Sequence, residues 1–169
     1  LFTTMLLTII FDLTIAIEIG LVLAVVLFMR RIMENTSISV LTDELGVHND
    51  GEADDEKITI PDFVEVYEID GPFFFGIANK FEEMARTRSS AKVRIIRMRK
   101  VSFIDATGLH NLEIFINASL DGGRKIILSG VNENVFRSLD RSGLLAKVGK
   151  ENVLANIHAA LDRSFEVMK

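Results

Sequence analysis

The order of apolar and polar positions divides this chain into three stretches of different physical character. Residues 1–29 are apolar except for a few hydroxyl groups and two carboxylates, Asp12 and Glu18. Residues 33–57 are polar and mostly acidic, and residues 58–169 mix short β-branched runs with apolar residues at helical spacing. This pattern predicts an apolar segment, a flexible acidic linker over residues 33–57 and one folded domain over residues 58–169.

The folded domain is predicted to alternate between strands and helices. Short runs rich in Val and Ile predict strands, the first two forming a hairpin around Pro61 and Asp62, and apolar residues three and four positions apart predict helices. This alternation is typical of an α/β domain whose mixed, mainly parallel sheet is packed with helices. The predicted strands span residues 58–60, 63–69, 93–98 and 125–130, and the predicted helices span residues 77–87, 106–120, 133–141 and 151–168, with a loop or short strand at 144–148.

The apolar first stretch predicts the end of a transmembrane domain, which we assign to residues 1–32. Crossing the hydrocarbon core takes about 20 apolar residues. The uninterrupted pieces 1–11 and 19–29 are each shorter, so one arrangement is two short helices that meet at Asp12. A buried core helix is the alternative, but residues 58–169 form too small a domain to bury a further apolar segment of this length. Arg30 and Arg31 then place residues 33–169 in the cytoplasm, because positive charges favour that side of a membrane.

Charge and composition narrow the functional classes. The chain has a net charge of −5, but residues 33–57 hold eight acidic side chains against the single base Lys57, whereas residues 58–169 are close to neutral. A domain without a strongly basic balance is a poor partner for nucleic acid. The chain has no cysteine and only three scattered histidines, His48, His110 and His158, which argues against disulfides and against a metal site.

The most informative stretch joins the predicted strand 93–98 to the predicted helix 106–120. Asp105 stands at the expected helix N-cap, where its carboxylate accepts hydrogen bonds from first-turn amides, those of Thr107 and Gly108. Ala106, Thr107 and Gly108 form that first turn, which therefore presents one hydroxyl group. Because the amides and the macrodipole of a helix N-terminus attract anions, a phosphate on Thr107 would be favoured there.

The run Asp105-Ala106-Thr107-Gly108-Leu109 resembles the Asp-Ser-Ser-Gly-Leu signature of the STAS domain. This domain occurs in anti-sigma-factor antagonists and at the C-terminus of SulP-type sulfate permeases. The run of residues 71–75 resembles the loop before the first STAS helix of the permeases, and residues 11–20 look like their last two membrane helices. The three similarities follow the order of the permeases, so the chain resembles the C-terminal STAS domain of a SulP-type permease together with the end of its membrane domain.

The resemblance implies a function and a set of partners. The domain would regulate a secondary transporter of an anion such as sulfate or bicarbonate, located in the inner membrane, whose translocation site lies outside this chain. Thr107 takes the place of the hydroxyl residue that is phosphorylated in the antagonists, although Ala106 replaces the first hydroxyl of the signature. Leu109 and His110 belong to a candidate partner face beside it. The expected partners are the remaining membrane domain and a second copy of the chain.

A different class of function remains open beside this one. A stand-alone antagonist-type signalling domain, switched by phosphorylation, would account for residues 58–169 but would leave the apolar residues 1–29 without a purpose. An enzyme is not indicated, because Ser102, Ser129 and Ser138 lack a Gly-x-Ser-x-Gly elbow and the glycines match no phosphate-binding fingerprint. His110 could act as a base toward Thr107, but such a histidine more often faces solvent. We expect no catalytic residue, no metal and no cofactor.

One concentration of basic residues in the folded part is a candidate partner surface. An acidic protein partner, the acidic linker or anionic lipid headgroups would each complement such a charge. An ordinary solvated face is the simpler alternative. The cluster consists of Arg86, Arg88, Lys92, Arg94, Arg97, Arg99 and Lys100.

Overall fold

A computed structural model describes residues 13–34, 37–41, 44–45, 58–74 and 90–168, together with Phe2, Met5, Leu6 and Thr8. The chain forms two compact units, residues 1–35 and residues 36–169. The first unit contains the helix α1, Leu13–Glu34, which has 22 residues. At 1.5 Å per residue this helix is about 33 Å long, close to the thickness of a bilayer's hydrocarbon core.

Helix α1 exposes an apolar surface. Its segment Leu13–Arg31 has a mean hydropathy of 2.2, and only 6% of it is buried. By length and composition this helix is able to cross a membrane. The helix runs without interruption through Glu18, whose side chain is exposed. Asp12, where we predict a break between two helices, lies outside the described residues.

The second unit is built on a five-stranded sheet. Four of its strands run parallel to their neighbours, and the first strand is antiparallel to the second strand of the sheet. The predicted mixed, mainly parallel sheet is confirmed. In spatial order the strands are Ser37–Leu41 (β1), Val64–Asp70 (β4), Val93–Lys100 (β5), Lys125–Ser129 (β6) and Val153–Leu154 (β7). A separate two-stranded ladder consists of Glu44–Leu45 (β2) and Ile58–Thr59 (β3).

Helices follow β5, β6 and β7. They are Ala106–Asp121 (α2), Glu133–Arg141 (α3), Leu144–Val148 (α4) and Ile157–Glu166 (α5), with a 3₁₀ turn at Lys150–Asn152. Successive residues of a strand point to opposite faces of a sheet, and both faces are covered. Ile96 and Met98 of β5 pack in one core with α2, α3 and α4, whereas Val93 and Ile95 pack in a second core with α5.

Part of the predicted linker is ordered structure, because Ser37–Leu41 is part of the sheet. Its residues pair with β4 over the full strand, from Ser37 opposite Asp70 to Leu41 opposite Val66. Composition alone does not predict this strand, because it contains two serines and lies within an acidic stretch. The backbone of β4 requires a partner on this side, and β1 provides it. The prediction of a flexible linker over residues 33–57 is therefore wrong for residues 37–41, and also for residues 44–45, which form β2.

The predicted hairpin around Pro61 and Asp62 is also wrong. β3 pairs with β2 instead of β4, and β4 pairs with β1 and β5. A tight turn does form at the predicted place, since the amide of Val64 donates to the carbonyl of Pro61 over 2.8 Å. This turn leads into β4 without bringing β3 alongside it.

The C-terminal part differs from the prediction at two places. Residues 144–148, predicted as a loop or strand, form helix α4, which buries Leu144, Leu145 and Val148. The predicted helix 151–168 starts only at Ile157, because Asn156 caps it and Val153–Leu154 pairs with β6 as an edge strand. The predicted helices 106–120 and 133–141 are present as α2 and α3. The predicted helix 77–87 lies outside the described residues.

Candidate regulatory switch

The candidate site is the switch turn, residues 101–109, which connects β5 to α2. Asp105 is the N-cap of α2, with an extended backbone at φ −91° and ψ 177°. Its carboxylate accepts a hydrogen bond of 2.6 Å from the amide of Gly108, and its carbonyl accepts one of 2.9 Å from the amide of Leu109. The predicted cap is therefore present, although its side chain binds the amide of Gly108 and not that of Thr107.

The first turn of α2 retains two amide groups that point out of the helix. The amides of Ala106 and Thr107 have no partner among the described residues, and both side chains are exposed. Such amides, together with the helix macrodipole, attract negative charge. The Asp105 carboxylate already supplies one negative charge at this end. A second anion on Thr107 would gain from the same amides but would be repelled by Asp105.

The backbone of Phe73 holds the switch turn from one side. The amide of Phe73 donates to the carbonyl of Phe103 over 3.0 Å, and the carbonyl of Phe73 accepts from the amide of Asp105 over 3.2 Å. Phe73 and Ile104 therefore form a parallel bridge between the end of β4 and the switch turn. The side chain of Phe73 is fully buried in the core beneath.

Gly108 is required by this close approach. A Cβ atom at position 108 would lie 2.5 Å from the carbonyl oxygen of Phe73 and 3.0 Å from Cγ1 of Ile104. A distance under 3.0 Å to a backbone atom forces the neighbouring segments apart. The glycine of the motif thus allows the helix to start directly against the segment that carries Phe73.

The switch turn presents one exposed face. Thr107 and His110 of α2 are exposed, whereas Leu109 is half-buried and packs against the core. Sequence reasoning missed two exposed apolar residues of this region, Phe103 before the helix and Ile114 within it, which are 52% and 37% exposed. Thr107, His110 and Ile114 are spaced at i, i+3 and i+7, so they share one side of the helix. We call Thr107, His110 and Ile114 the switch face.

A salt bridge ties α2 to α4 beside the switch face. The Lys147 ammonium lies 2.6 Å from Oε1 of Glu113 and 3.3 Å from Oδ1 of Asn117. The hydrogen bond from Lys147 holds the pKa of the Glu113 carboxyl below its usual range. This bridge therefore connects α2 to α4.

The predicted basic cluster does not form a single surface. Arg94 and Arg97 of β5 are buried on opposite faces of the sheet, where they pair with Glu65 and Glu68 at 3.3 Å each. Lys100 pairs with Asp70 over 2.8 Å, and this bond raises the pKa of the Lys100 ammonium. Arg86 and Arg88 lie outside the described residues. Arg94 and Arg97 thus serve the interior of the domain and not a partner surface, whereas Arg99 and Lys100 at the end of β5 are exposed.

Among the described residues, no group of three or more His, Asp or Glu side chains could hold a metal ion. The first turn of α2 offers instead a hydroxyl group on Thr107, two amides without a partner among the described residues and the neighbouring Asp105 carboxylate. This set of groups is suited to receiving a covalent negative charge and responding to it.

Comparison with known proteins places these features in a family. A family model described as the STAS domain matches residues 56–164. The curated protein named "Putative sulfate transporter YvdB", from Bacillus subtilis (strain 168), is 30% identical over 151 residues, which is 88% of this chain. The chain spans only 27% of the length of that relative.

Two solved structures are similar in both sequence and fold. A sulfate transporter family protein from Wolinella succinogenes is 38% identical, with a TM-score of 0.62, over 66% of this chain and 92% of that one. The STAS domain of a SulP transporter from Vibrio cholerae is 32% identical, with a TM-score of 0.58, over 65% of this chain and 87% of that one.

The antagonists share the fold but are more distant in sequence. A "putative anti-sigma factor antagonist" from Thermotoga maritima has a TM-score of 0.55 at 18% identity, over 66% of this chain and 92% of that one. At this level of identity the likeness concerns the fold alone. The sulfate transporter proteins are therefore the nearer relatives of the two groups.

Proposed function

Because the chain belongs to the STAS domain family, and within it groups with the STAS domains of sulfate transporters, we propose that it is the regulatory part of a SulP-type anion permease. Residues 1–32 would be the end of the membrane domain, and residues 33–169 would lie in the cytoplasm. The transported anion would be of the sulfate or bicarbonate type.

The observation that supports this proposal is that α1 and the STAS domain share one chain. A helix with its apolar side chains exposed has little reason to exist in water, since burying apolar surface gains about 25 cal/mol per Å². In a bilayer the same surface is solvated by lipid. Arg30 and Arg31 follow the apolar stretch and favour the cytoplasmic side.

The switch turn is the proposed regulatory element. Phosphorylation of Thr107 would add a charge of about −2 beside the Asp105 carboxylate. The phosphate would compete with Asp105 for the first-turn amides of α2. Displacing Asp105 would also weaken the hydrogen bond that its backbone amide donates to the Phe73 carbonyl, and the new charge would alter the electrostatic character of the switch face.

The partners of this domain follow from the same proposal. The remaining membrane domain of the permease is the first, and a second copy of the chain is the second. An acidic protein or anionic lipid headgroups remain candidates, and we expect no nucleic acid as a partner. The domain itself would have no enzymatic activity and would bind no cofactor.

Membrane fractionation tests the assignment of α1. The full chain is expected to remain in the membrane pellet after an alkaline carbonate wash. A variant with Leu21→Lys and Val25→Lys in α1 should lose this retention, whereas Leu120→Lys, on an exposed apolar residue of the folded unit, should not. Recovery of the unaltered chain in the soluble fraction would favour the stand-alone signalling domain instead.

Anion uptake tests the regulatory role in the complete permease. Cells that lack their own sulfate and bicarbonate uptake would express the permease with Thr107, Thr107→Ala or Thr107→Glu. We expect Thr107→Glu to change uptake at equal surface expression and Thr107→Ala to hold it at the unphosphorylated level. Equal uptake by all three proteins would exclude Thr107 as the switch, while the membrane assignment would still stand.

A further inference from the structure

A second residue outside the motif holds the switch turn from the side opposite to Phe73. Asn132 is the N-cap of α3, and its Oδ1 atom accepts a hydrogen bond of 3.0 Å from the amide of Val135. Its Nδ2 atom donates a hydrogen bond of 2.5 Å to the carbonyl of Val101, the first residue of the switch turn. One side chain therefore connects two elements that are 31 positions apart in sequence.

The two bonds suit an amide side chain. Asp, Ser and Thr also cap helices by accepting a hydrogen bond. A carboxylate has no proton to donate, and a hydroxyl group would have to make both bonds through a single oxygen atom. Among the preferred N-cap residues, asparagine alone places the acceptor for Val135 and the donor for Val101 on two separate atoms.

Val101 lies at the point where β5 ends and the switch turn begins. Its side chain is fully buried, and its amide donates to the carbonyl of Met98 over 3.0 Å, closing the turn at the end of β5. Four residues later Asp105 caps α2. The Asn132 bond therefore restrains the first residue of the switch turn, while the Phe73 bridge restrains Phe103 and Asp105 in its middle.

We propose that Asn132 is a positioning residue for the switch: it fixes the switch turn, and so the presentation of Asp105 and Thr107, independently of its role as a helix cap. This inference rests on the proposed function of the switch turn and adds a determinant of its geometry. Loss of the Val101 bond would loosen the turn while leaving α3 capped. The strand β6 and its following helix would then no longer restrain the place where Thr107 is presented.

The chain contains a matched control for this proposal. Asn156 caps α5 in the same way, with its Oδ1 atom 2.9 Å from the amide of Ala159. Its Nδ2 atom has no partner within the described part of the chain. Asn132→Asp and Asn156→Asp therefore both keep a capping acceptor and add one negative charge at a helix N-terminus. Only Asn132→Asp removes a donated bond to the switch turn.

Amide hydrogen exchange on the full chain in detergent measures the effect. In Asn132→Asp we expect exchange at the amides of Phe73, Asp105 and Gly108 to rise about fivefold or more, as expected for loss of one restraining hydrogen bond. The amides of Val135 and Phe136 in α3 should keep their protection. Asn156→Asp should leave all of these rates unchanged.

Thiol labelling gives an independent readout, because the chain has no cysteine. Ile104 is a buried residue of the switch turn, so an Ile104→Cys reporter should label several-fold faster in the Asn132→Asp background and at the original rate in the Asn156→Asp background. A neutral variant, Asn132→Gly, removes the donor at little cost to the helix cap and should give the same change as Asn132→Asp, which separates the lost bond from carboxylate repulsion.

Two results would overturn the proposal. Unchanged exchange and labelling in Asn132→Asp would show that Phe73 alone fixes the switch turn. Loss of protection in α3 together with the switch turn would mean that Asn132 acts only as a cap. These measurements need neither transport nor a partner, so a failure of the permease assignment would not be mistaken for a failure here.

Discussion

Arg94 and Glu65 form an ion pair in which both side chains are buried beneath α2. Nε of Arg94 lies 3.3 Å from Oε2 of Glu65, and Nη1 donates to the Ser119 hydroxyl over 2.9 Å. The guanidinium also lies over the rings of Tyr67 and Phe115, 5.5 and 5.0 Å from their centroids. The pair therefore links β4, β5 and the C-terminal half of α2.

This geometry predicts a large cost for removing one partner of the pair. Arg94→Met leaves the Glu65 carboxylate buried without its countercharge, so we expect the free energy of unfolding to fall by about 3 kcal/mol or more. The double variant Arg94→Met with Glu65→Met should lose less than the sum of the two single variants. Urea unfolding of the chain in detergent measures all four proteins.

The exposed pair of Lys100 and Asp70 is the control for this experiment. Their side chains are 40% and 48% exposed, so Lys100→Met should change the free energy of unfolding by less than about 1 kcal/mol. Additive losses at Arg94 and Glu65 would contradict the interpretation as a coupled buried pair.

Gly108→Ala tests the close approach between α2 and Phe73. The new methyl group would lie 2.5 Å from the Phe73 carbonyl oxygen, so we expect a destabilisation of about 2 kcal/mol despite the better helix propensity of alanine. Gly122→Ala at the other end of α2 is the control. Its backbone φ is −76°, and its added methyl group would meet the flexible end of the Arg124 side chain at 2.7 Å and the carbonyl oxygens of Ala118 and Ser119 at 3.3 and 3.4 Å, so no backbone atom lies as close as at Gly108. Equal thermal unfolding of both variants would refute the role given to Gly108.

A charge at position 107 is expected to conflict with Asp105. Glutamate at position 107 gains from the helix macrodipole but is repelled by the capping carboxylate. Asp105→Asn keeps the capping acceptor and removes the charge. Thr107→Glu should therefore be tolerated better, by about 0.5 kcal/mol, in the Asp105→Asn background than with Asp105 present. A double-mutant cycle from thermal unfolding measures this coupling, and a value of zero would remove the proposed competition.

Tyr67 predicts a loss of stability in alkaline solution. Burial, together with a hydrogen bond to Glu65, raises the pKa of the Tyr67 phenol well above its ordinary 10.0. Because the folded state holds this proton more tightly than the unfolded state, its contribution is complete below about pH 10 and declines as pH rises beyond that value.

The measurement for Tyr67 is unusually direct. The chain has one tyrosine and no tryptophan, so the tyrosinate absorbance reports this group alone. We expect absorbance to rise only together with loss of helical circular dichroism. An ordinary titration of the phenol in the intact fold would contradict its burial against Phe115 and Arg94.

The central part of this fold was predictable because its signals are local. Asp105 and the glycines after Asp121 mark both ends of α2, and Asn132 and Gly143 do the same for α3. The strands β5 and β6 are short and rich in β-branched residues. Such elements are recognised from a helix cap, a terminating glycine or a periodic pattern of apolar residues.

The errors arose where pairing between distant segments decides the structure. The strand β1 has weak local signals and exists because β4 needs a neighbour. Helix α4 has only five residues, too few for a periodicity to appear. Val153 and Leu154 fit a helical pattern, but their backbone groups pair with β6. At β1 and β7 hydrogen bonding to a distant strand therefore decided the structure, whereas α4 was missed because it is short.

The candidate site shows the same division. The cap, the hydroxyl and the glycine were visible in the motif, but the backbone contacts of Phe73 leave no trace in its side chain. The only sequence signal of that contact is Gly108 itself. A glycine indicates that another segment approaches closely, but it does not identify that segment. The second bond of Asn132 is equally invisible, because any N-cap asparagine looks the same in sequence.

The position of β1 has a practical consequence for dissecting this protein. A soluble fragment cut at residue 56, where the family match begins, would lack Ser37–Leu41 and leave five residues of β4 with open hydrogen-bonding groups. Unpaired edge strands of this kind form hydrogen bonds with strands of other molecules and promote aggregation. A soluble, monomeric fragment should therefore start before Ser37. The segment that follows the apolar helix in sequence also protects the edge of the sheet from pairing with other molecules.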